Sequence, residues 1–173
     1  MPIRLLSCLK ISFLLFAVSS FQLKQDNGIV AMKAELLYSL SKFVTWPEDS
    51  LDDTFKIHII GDKHFFEYIN YVYEGRQIKN LPIQVSHDSN GESFKNDYHI
   101  VYISTNSYEH LDAILTDTTN QPTLFVSEGI DIAHSGLMVN IQEIQGNITL
   151  ELNPENAQAA GLSMGYQLLQ VAK

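Results

Sequence analysis

Short apolar runs alternate with amphipathic segments along this chain, and this alternation limits the folds that are open to it. The runs FKIHIIG (55–61), HIVYIS (99–104) and PTLFVSE (122–128) are rich in β-branched and aromatic residues, which is typical of strands buried on both faces. Helical periodicity predicts helices over about 62–72 and 107–115. Strands that alternate with helices predict an α/β fold around a mostly parallel sheet.

The C-terminal part of the sequence predicts an antiparallel hairpin. GLMVNIQEI (136–144) and NITLELN (147–153) are strand-like, and a Gln145-Gly146 turn joins them. A shorter strand is predicted around 82–86, ahead of a polar loop over 86–97. We therefore expect three layers, with a mostly parallel sheet flanked by helices and the antiparallel hairpin at one edge.

The segment MKAELLYSLSKFVTWP (32–47) predicts an amphipathic helix. Polar residues, Lys33 and Ser41 among them, are expected to face solvent, opposite an apolar arc. The residues of the inward arc are Met32, Leu36, Leu37, Leu40, Phe43 and Val44. Pro47 disfavours helical geometry for Trp46, so the helix is predicted to end there. We expect Trp46 to fill the corner of the core where the chain turns into the first long strand.

The last helix is predicted to begin at Asn153. This residue is the expected N-cap because Pro154 and Glu155 occupy the first turn. One continuous helix to about residue 171 is predicted, with two stripes. The first stripe is Ala157, Ala160, Gly161, Met164, Leu168 and Val171. The second is Leu162, Tyr166 and Leu169, which serves either the core or a dimer face.

Residues 161–165 read GLSMG and match the G-x-S-x-G pattern of a hydrolase nucleophile. That pattern needs a strand before the Ser, whereas the sequence before Ser163 predicts a helix. Neither an acidic residue nor a His follows Ser163. We therefore interpret these small residues as helix packing and not as a serine hydrolase site.

Residues 1–20 have the pattern of a secretory signal peptide. Arg4 and Lys10 flank an apolar region that runs through Ile11 to Val18, and small residues follow it. The run is shorter than the roughly 20 residues that a membrane-spanning helix needs. We expect cleavage near residue 20, a flexible tail over 21–28 and a single domain over 29–173, located in the periplasm.

The expected mature chain is acidic and free of thiols. Without Arg4 and Lys10, nine basic residues face 20 acidic ones, a net charge of −11 with His neutral. Such a surface repels nucleic acid, so no nucleic-acid partner is expected. The one Cys, Cys8, lies in the signal peptide, so packing without disulfides must stabilise the domain.

The sequence predicts no catalytic, cofactor-binding or metal-binding residues. The six His residues form neither H-E-x-x-H nor a close pair, and no glycine-rich phosphate loop is present. His58 and His99 lie within predicted strands, where we expect hydrogen-bonded core or edge positions. We therefore predict a protein that is not an enzyme and has no cofactor.

Contacts to a ligand or partner are expected beyond the carboxyl ends of the parallel strands, where open sheets bind their ligands. These ends are Gly61-Asp62, 104–106 and 127–136. The candidate contact residues are Arg76, Glu128, Asp131 and His134. Arg76 has a second interpretation as a solvated turn residue, and the scarcity of Arg and Lys at these ends disfavours a phosphate ligand.

Taken together, these segments resemble the YfiR/HmsC-like family of periplasmic proteins over about residues 30–172. The most specific piece is Lys-Phe-Val-x-Trp-Pro, formed by Lys42, Phe43, Trp46 and Pro47. The other matching pieces are the strand ending at Gly61, HIVYI (99–103), TLFVS (123–127), GLMVN from Gly136, ITLELN ending at Asn153, and the small-residue segment 160–162 with Leu168 and Leu169. These other pieces indicate fold and not activity.

The resemblance implies a non-enzymatic regulator. Better-known members bind the periplasmic portion of an inner-membrane diguanylate cyclase, so the implied partner is such a cyclase or a sensor kinase, and the implied processes are cyclic di-GMP signalling and biofilm control. A homodimer and a small-molecule ligand are further partners that the resemblance leaves open. Members often carry a Cys before the central-strand His, where this chain has Tyr98. Redox control is therefore not implied here.

A periplasmic small-molecule sensor is the alternative function. It would use the strand-end loops over 127–136. Stabilisation by a ligand would favour the sensor, whereas recovery of a membrane signalling enzyme would favour the regulator.

Overall fold

Seven strands of the chain form one sheet, in the order β3-β4-β2-β5-β6-β7-β8. The structure is a computed structural model that describes residues 28–92, 94–95, 97–116, 122–129 and 136–171. In chain order its elements are α1 (28–43), β1 (Val44–Thr45), β2 (Phe55–Ile60), α2 (Lys63–Val72), β3 (Gln77–Ile78), β4 (Leu81–Asp88), β5 (Ile100–Ile103), α3 (Leu111–Thr116), β6 (Leu124–Glu128), β7 (Val139–Ile144), β8 (Asn147–Leu152), α4 (Pro154–Ala159), β9 (Ser163–Met164) and α5 (Tyr166–Val171).

The centre of the sheet is parallel. β2 pairs with β4 on one side and β5 on the other, and β6 and β7 continue the parallel order. β8 closes one edge as the antiparallel partner of β7, so the predicted α/β class, mostly parallel sheet and C-terminal hairpin are confirmed. β3 adds a second antiparallel edge, and β1 and β9 form a separate two-stranded sheet. These pieces are two residues long, too short to produce a periodic pattern.

The parallel strands carry the core. All four residues of β5 are buried, and β2 is buried from Ile57 to Ile60. At the start of α2, the Asp62 carboxylate caps the helix by accepting a hydrogen bond from the Phe65 N–H at 2.9 Å. Phe65 and Ile69 are the buried residues of this helix. Helix α2 therefore covers the sheet beside β2 and β4.

The inward face predicted for α1 is partly wrong. Leu37 and Leu40 are buried, but Met32 is 49% exposed and Phe43 is 39% exposed. Buried Ser41, predicted to face solvent, donates its hydroxyl to the Tyr38 carbonyl at 2.6 Å, which removes the cost of burying it. Ala34 is buried with Leu37, Leu40 and Ser41, so the buried face is rotated toward these small residues. The helix ends at residue 43, and β1 begins at Val44.

The predicted single C-terminal helix is also wrong. Asn153 caps α4 by accepting the Asn156 N–H at 2.9 Å, as predicted. Gly161 then adopts the left-handed conformation, with φ +78°, and the Leu162 N–H returns to the Ala157 carbonyl at 2.8 Å. This glycine geometry ends a helix. β9 and α5 therefore follow as separate elements.

In the part of the chain that the structure describes, every helix is too short or too polar to cross a bilayer.

Candidate functional site

Two serine side chains lie close to Gly61 at the carboxyl ends of β2 and β5, one of the places where the topology predicts a ligand crevice. Gly61 has φ +91°, and a Cβ there would lie 2.1 Å from Ser107 Oγ and 2.3 Å from Ser104 Oγ. The Gly61 N–H donates to the Asp88 carbonyl at 2.8 Å. Both the positive φ and these close side chains favour glycine at this position, and the expectation of a ligand at these strand ends stays a prediction.

Glu128, a predicted contact residue at the end of β6, is held by two neighbours. Lys33 of α1 donates to one carboxylate oxygen, and the Tyr102 hydroxyl donates to the other. Burial, reinforced by the Glu128 carboxylate, raises the pKa of Tyr102 well above its usual value, so the phenol keeps the proton that it donates. Lys33 was expected to face solvent, and this pair instead ties α1 to the sheet.

Two other predicted contact residues, Asp131 and His134, lie outside the described residues. Gly136 is described and begins the approach to β7, with its α carbon near Leu115. The expectation of a ligand site over 127–136 stays a prediction.

Arg76, the fourth predicted contact residue, connects α1 to the turn before β3. Its guanidinium donates to the Glu35 carboxylate at 2.8 Å and lies 5.0 Å from the centre of the Tyr38 ring. Lys42 approaches the same ring, with its Nζ 4.3 Å from the centroid. Because the Arg76–Glu35 pair is partly exposed, it adds little stability, in the range of about 0–1 kcal/mol.

Trp46 forms the corner that the sequence predicts for it. The ring is only 3% exposed, meets Phe55 edge-on at 5.2 Å between centroids, and donates its Nε1–H to the His99 carbonyl at 3.3 Å. Phe55 in turn stacks on the His99 ring at 4.6 Å. Trp46 is therefore buried at the amino ends of β2 and β5, and its structural role stays a prediction.

His99 fixes the loop that follows Pro47. Its Nδ1 accepts the Lys56 N–H at 2.9 Å, and its Nε2 lies 3.0 Å from the Ser50 carbonyl, which assigns the proton to Nε2. Burial lowers the pKa of His99, and the Ser50 carbonyl only partly opposes this effect. The imidazole is therefore neutral at pH 7, a hydrogen-bonded strand-end His as predicted.

A cavity of about 620 Å³ opens beside His99, at the amino ends of β2, β5 and β6. Its walls are formed by segments from 47 to 52, 97 to 99, 122 to 123 and 159 to 161. We call it the amino-end cavity. Asp49, Asp52 and Asp97 contribute carboxylates, and the described lining contains neither Lys nor Arg. It lies at the opposite end of the strands from the predicted ligand loops.

A second surface is apolar and faces solvent. Met32 and Phe43 lie on the side of α1 that points away from the sheet, and Tyr166 and Leu169 of α5 are 73% and 41% exposed. The Gly165 N–H donates to the Phe43 carbonyl at 2.8 Å, which places the start of α5 beside the end of α1. We call these four residues the α1–α5 face. The second stripe predicted for the C-terminal helix therefore has two environments, because Leu162 is buried in the core whereas Tyr166 and Leu169 are exposed.

The described residues contain no group of three or more His, Cys, Asp or Glu side chains that could hold a metal ion. Residues 154–159 are helical as predicted, but Ser163 lies in the short strand β9 with α5 after it, so the prediction that the helix continues through this Ser is wrong. β9 pairs with β1 through Thr45 and Val44, and no hydrogen bond joins Ser163 to an imidazole or carboxylate among the described residues.

Sequence reasoning missed the amino-end cavity and the α1 half of the α1–α5 face, whereas Tyr166 and Leu169 were named as a stripe for the core or a dimer face. The carboxylates of the amino-end cavity come from loops that lie about 45 residues apart, and no local spacing links them. The α1–α5 face has a weak signal, because Met32, Leu36 and Phe43 share one side of a helix while Ala34, Leu37 and Ser41 share the other. Weighting small residues as packing positions would have identified the buried side.

Comparison with known proteins identifies a family that matches most of the chain. A family model described as YfiR/HmsC-like matches residues 30–173, nearly the same span as the resemblance drawn from the sequence. No curated protein matches the chain.

Proposed function

Because this chain belongs to the YfiR/HmsC-like family, we propose that it is a periplasmic regulator that binds and represses an inner-membrane signalling enzyme. The proposed partner is the periplasmic portion of a diguanylate cyclase, so that the regulator lowers cyclic di-GMP. Family membership over residues 30–173 is the observation that carries this proposal. The proposal describes a protein that acts by contact and not by catalysis.

The α1–α5 face supports a role in binding. Among the described residues, the large apolar side chains that are exposed are Met32, Phe43, Tyr71, Ile144, Tyr166 and Leu169. Four of these six belong to the α1–α5 face, whose two helices meet where the Gly165 N–H donates to the Phe43 carbonyl. Aromatic residues and Met are enriched in protein–protein interfaces. We therefore assign the cyclase contact to this face.

The scaffold beneath the face is rigid, which favours binding. Leu37 and Leu40 bury the opposite side of α1, and the Tyr73 hydroxyl donates to the Ala34 carbonyl in the middle of the helix. The Lys33–Glu128 pair holds the N-terminal half of α1. A surface held in this way loses little conformational entropy when a partner binds.

The test is repression in cells together with binding in extracts. Deleting the gene should raise cyclic di-GMP, and the wild-type protein should restore the low level and recover the cyclase from solubilised membranes. A Phe43→Ser/Tyr166→Ser variant should lose repression, because truncating interface hot spots weakens binding by about 30-fold or more. Tyr71→Ser is the matched control, since Tyr71 is 77% exposed on α2, outside the face.

Melting temperatures separate binding from folding, because both changed residues are exposed and the double variant should melt near the wild type. Unchanged cyclic di-GMP on deletion, with no signalling enzyme recovered, would refute the proposed function. Equal loss of repression in Tyr71→Ser would refute the assignment to the α1–α5 face. Concentration-dependent sedimentation that the double variant abolishes, without recovery of a cyclase, would mark the face as a homodimer contact and refute the assignment as well.

A further inference from the structure

We propose that the amino-end cavity binds a small organic cation, an amine or diamine with a short aliphatic chain. The inference concerns a surface other than the α1–α5 face. It is tested by direct binding to the purified protein, so its outcome is distinguishable from that of the repression test.

The cavity has the size of a ligand site. Its volume of about 620 Å³ falls in the range of about 300–1,000 Å³ that small-molecule pockets occupy. Pro47 and Pro122 line it, and 159–161 adds two Ala residues and a Gly, so part of the wall is apolar and free of long side chains. Such a wall suits methylene groups and would be poorly matched to a hydrated inorganic ion.

The negative charge of the cavity favours a positively charged ligand. Asp49 lies on the loop from Pro47 to Leu51 and Asp52 just beyond it, and Asp97 comes from the separate lining segment 97–99. Asp97 already accepts a hydrogen bond from Lys56 at 3.1 Å, so the excess negative charge comes from the other two carboxylates. Clefts lined by one sign of charge concentrate ligands of the opposite sign. An anionic ligand is disfavoured by the same charges.

The carboxylates are held on an ordered loop. Ser50 donates its hydroxyl to the Pro47 carbonyl at 2.7 Å, and the Leu51 N–H donates to the Glu48 carbonyl at 3.3 Å. The His99 Nε2–H donates to the Ser50 carbonyl at 3.0 Å. Because burial keeps His99 neutral, this lining residue adds no positive charge that would repel an ammonium group. The backbone that carries Asp49 is therefore already ordered before a cation binds.

Calorimetry with putrescine tests the inference on the purified protein, with butanediol as the neutral ligand of the same length and Ca²⁺ as the inorganic cation. We expect putrescine to bind and butanediol and Ca²⁺ not to compete. Asp49→Asn/Asp52→Asn should weaken putrescine binding by about tenfold or more, because two charge contacts are lost. Asp53→Asn is the matched control, since Asp53 belongs to the same exposed loop but not to the lining.

Each result decides the inference. Weakened binding in the double variant, with Asp53→Asn within about twofold of the wild type, supports it. No putrescine binding up to millimolar concentration would overturn it, and so would equal binding of butanediol. Displacement of putrescine by an equal concentration of Ca²⁺ would mark an inorganic cation site and also overturn it. An equal loss of putrescine binding in Asp53→Asn would show general attraction to an acidic surface and would overturn the inference as well.

Discussion

Replacing Trp46 by Ala is the strongest test of the fold described here. The ring is 3% exposed, packs against Phe55 and donates a hydrogen bond to the His99 carbonyl. Removing a buried Trp side chain costs about 3–5 kcal/mol in lost burial and cavity formation. The His99 carbonyl keeps its second hydrogen bond, from the Leu124 N–H at 2.8 Å, so losing the indole N–H adds little to that cost. The free energy of unfolding of a domain of this size is about 5–15 kcal/mol, so the variant should be only marginally stable.

Thermal unfolding followed by circular dichroism measures this loss, since Trp46 is the one Trp of the chain and its fluorescence is lost with it. For a domain of this size each kcal/mol lowers Tm by about 2–4 °C, so a loss of about 3–5 kcal/mol predicts a fall in Tm of roughly 6–20 °C. Trp46→Phe keeps a ring and loses the N–H, so it should lose only about 1–2 kcal/mol. An unchanged Tm in Trp46→Ala, combined with lost partner binding, would refute the structural role and mark Trp46 as a docking residue.

Two further predictions concern His58 in β2 and Gly61 just beyond the end of that strand. Burial lowers the pKa of His58 to about 4, so between pH 6.5 and 4 the unfolded chain binds a proton that the folded protein does not. Stability should therefore fall by up to about 3 kcal/mol as the pH drops through this window, and His58→Gln should flatten that fall in urea titrations. Gly61→Ala should destabilise the protein by more than about 2 kcal/mol, because its Cβ would clash with Ser107. Gly75→Ala has a similar positive φ but open space around it, so it should cost only about 1 kcal/mol, and equal losses would contradict the clash.

The parallel sheet could be predicted because its strands are continuous apolar runs. β2, β5 and β6 are buried on both faces, and few other structures tolerate such segments. The hairpin of β7 and β8 could also be predicted, because a Gln145-Gly146 turn separates two strand-like runs. Both turn residues have positive φ in the structure. In these elements the local pattern and the tertiary environment agree.

Prediction failed where tertiary packing decided between two local options. Residues 154–171 have helical periodicity, yet Gly161 breaks the helix and β9 pairs with β1, a partner about 120 residues earlier in the chain. Helix α1 was placed correctly but rotated, because Ser41 satisfies its hydroxyl within the helix and can be buried. The amino-end cavity could not be predicted at all, since four separate segments create it.

The segment from Phe43 to Pro47 connects the two candidate surfaces. Phe43 lies on the α1–α5 face and accepts a hydrogen bond from Gly165, whereas Pro47 lines the amino-end cavity. Between them Val44 and Trp46 are buried, with the alternation of a strand. Five residues therefore end a helix, pair with β9 and turn a corner around a buried ring. Because each of these structural roles restricts which residues fit, the segment from Phe43 to Pro47 is specific to the family although it contains no catalytic group.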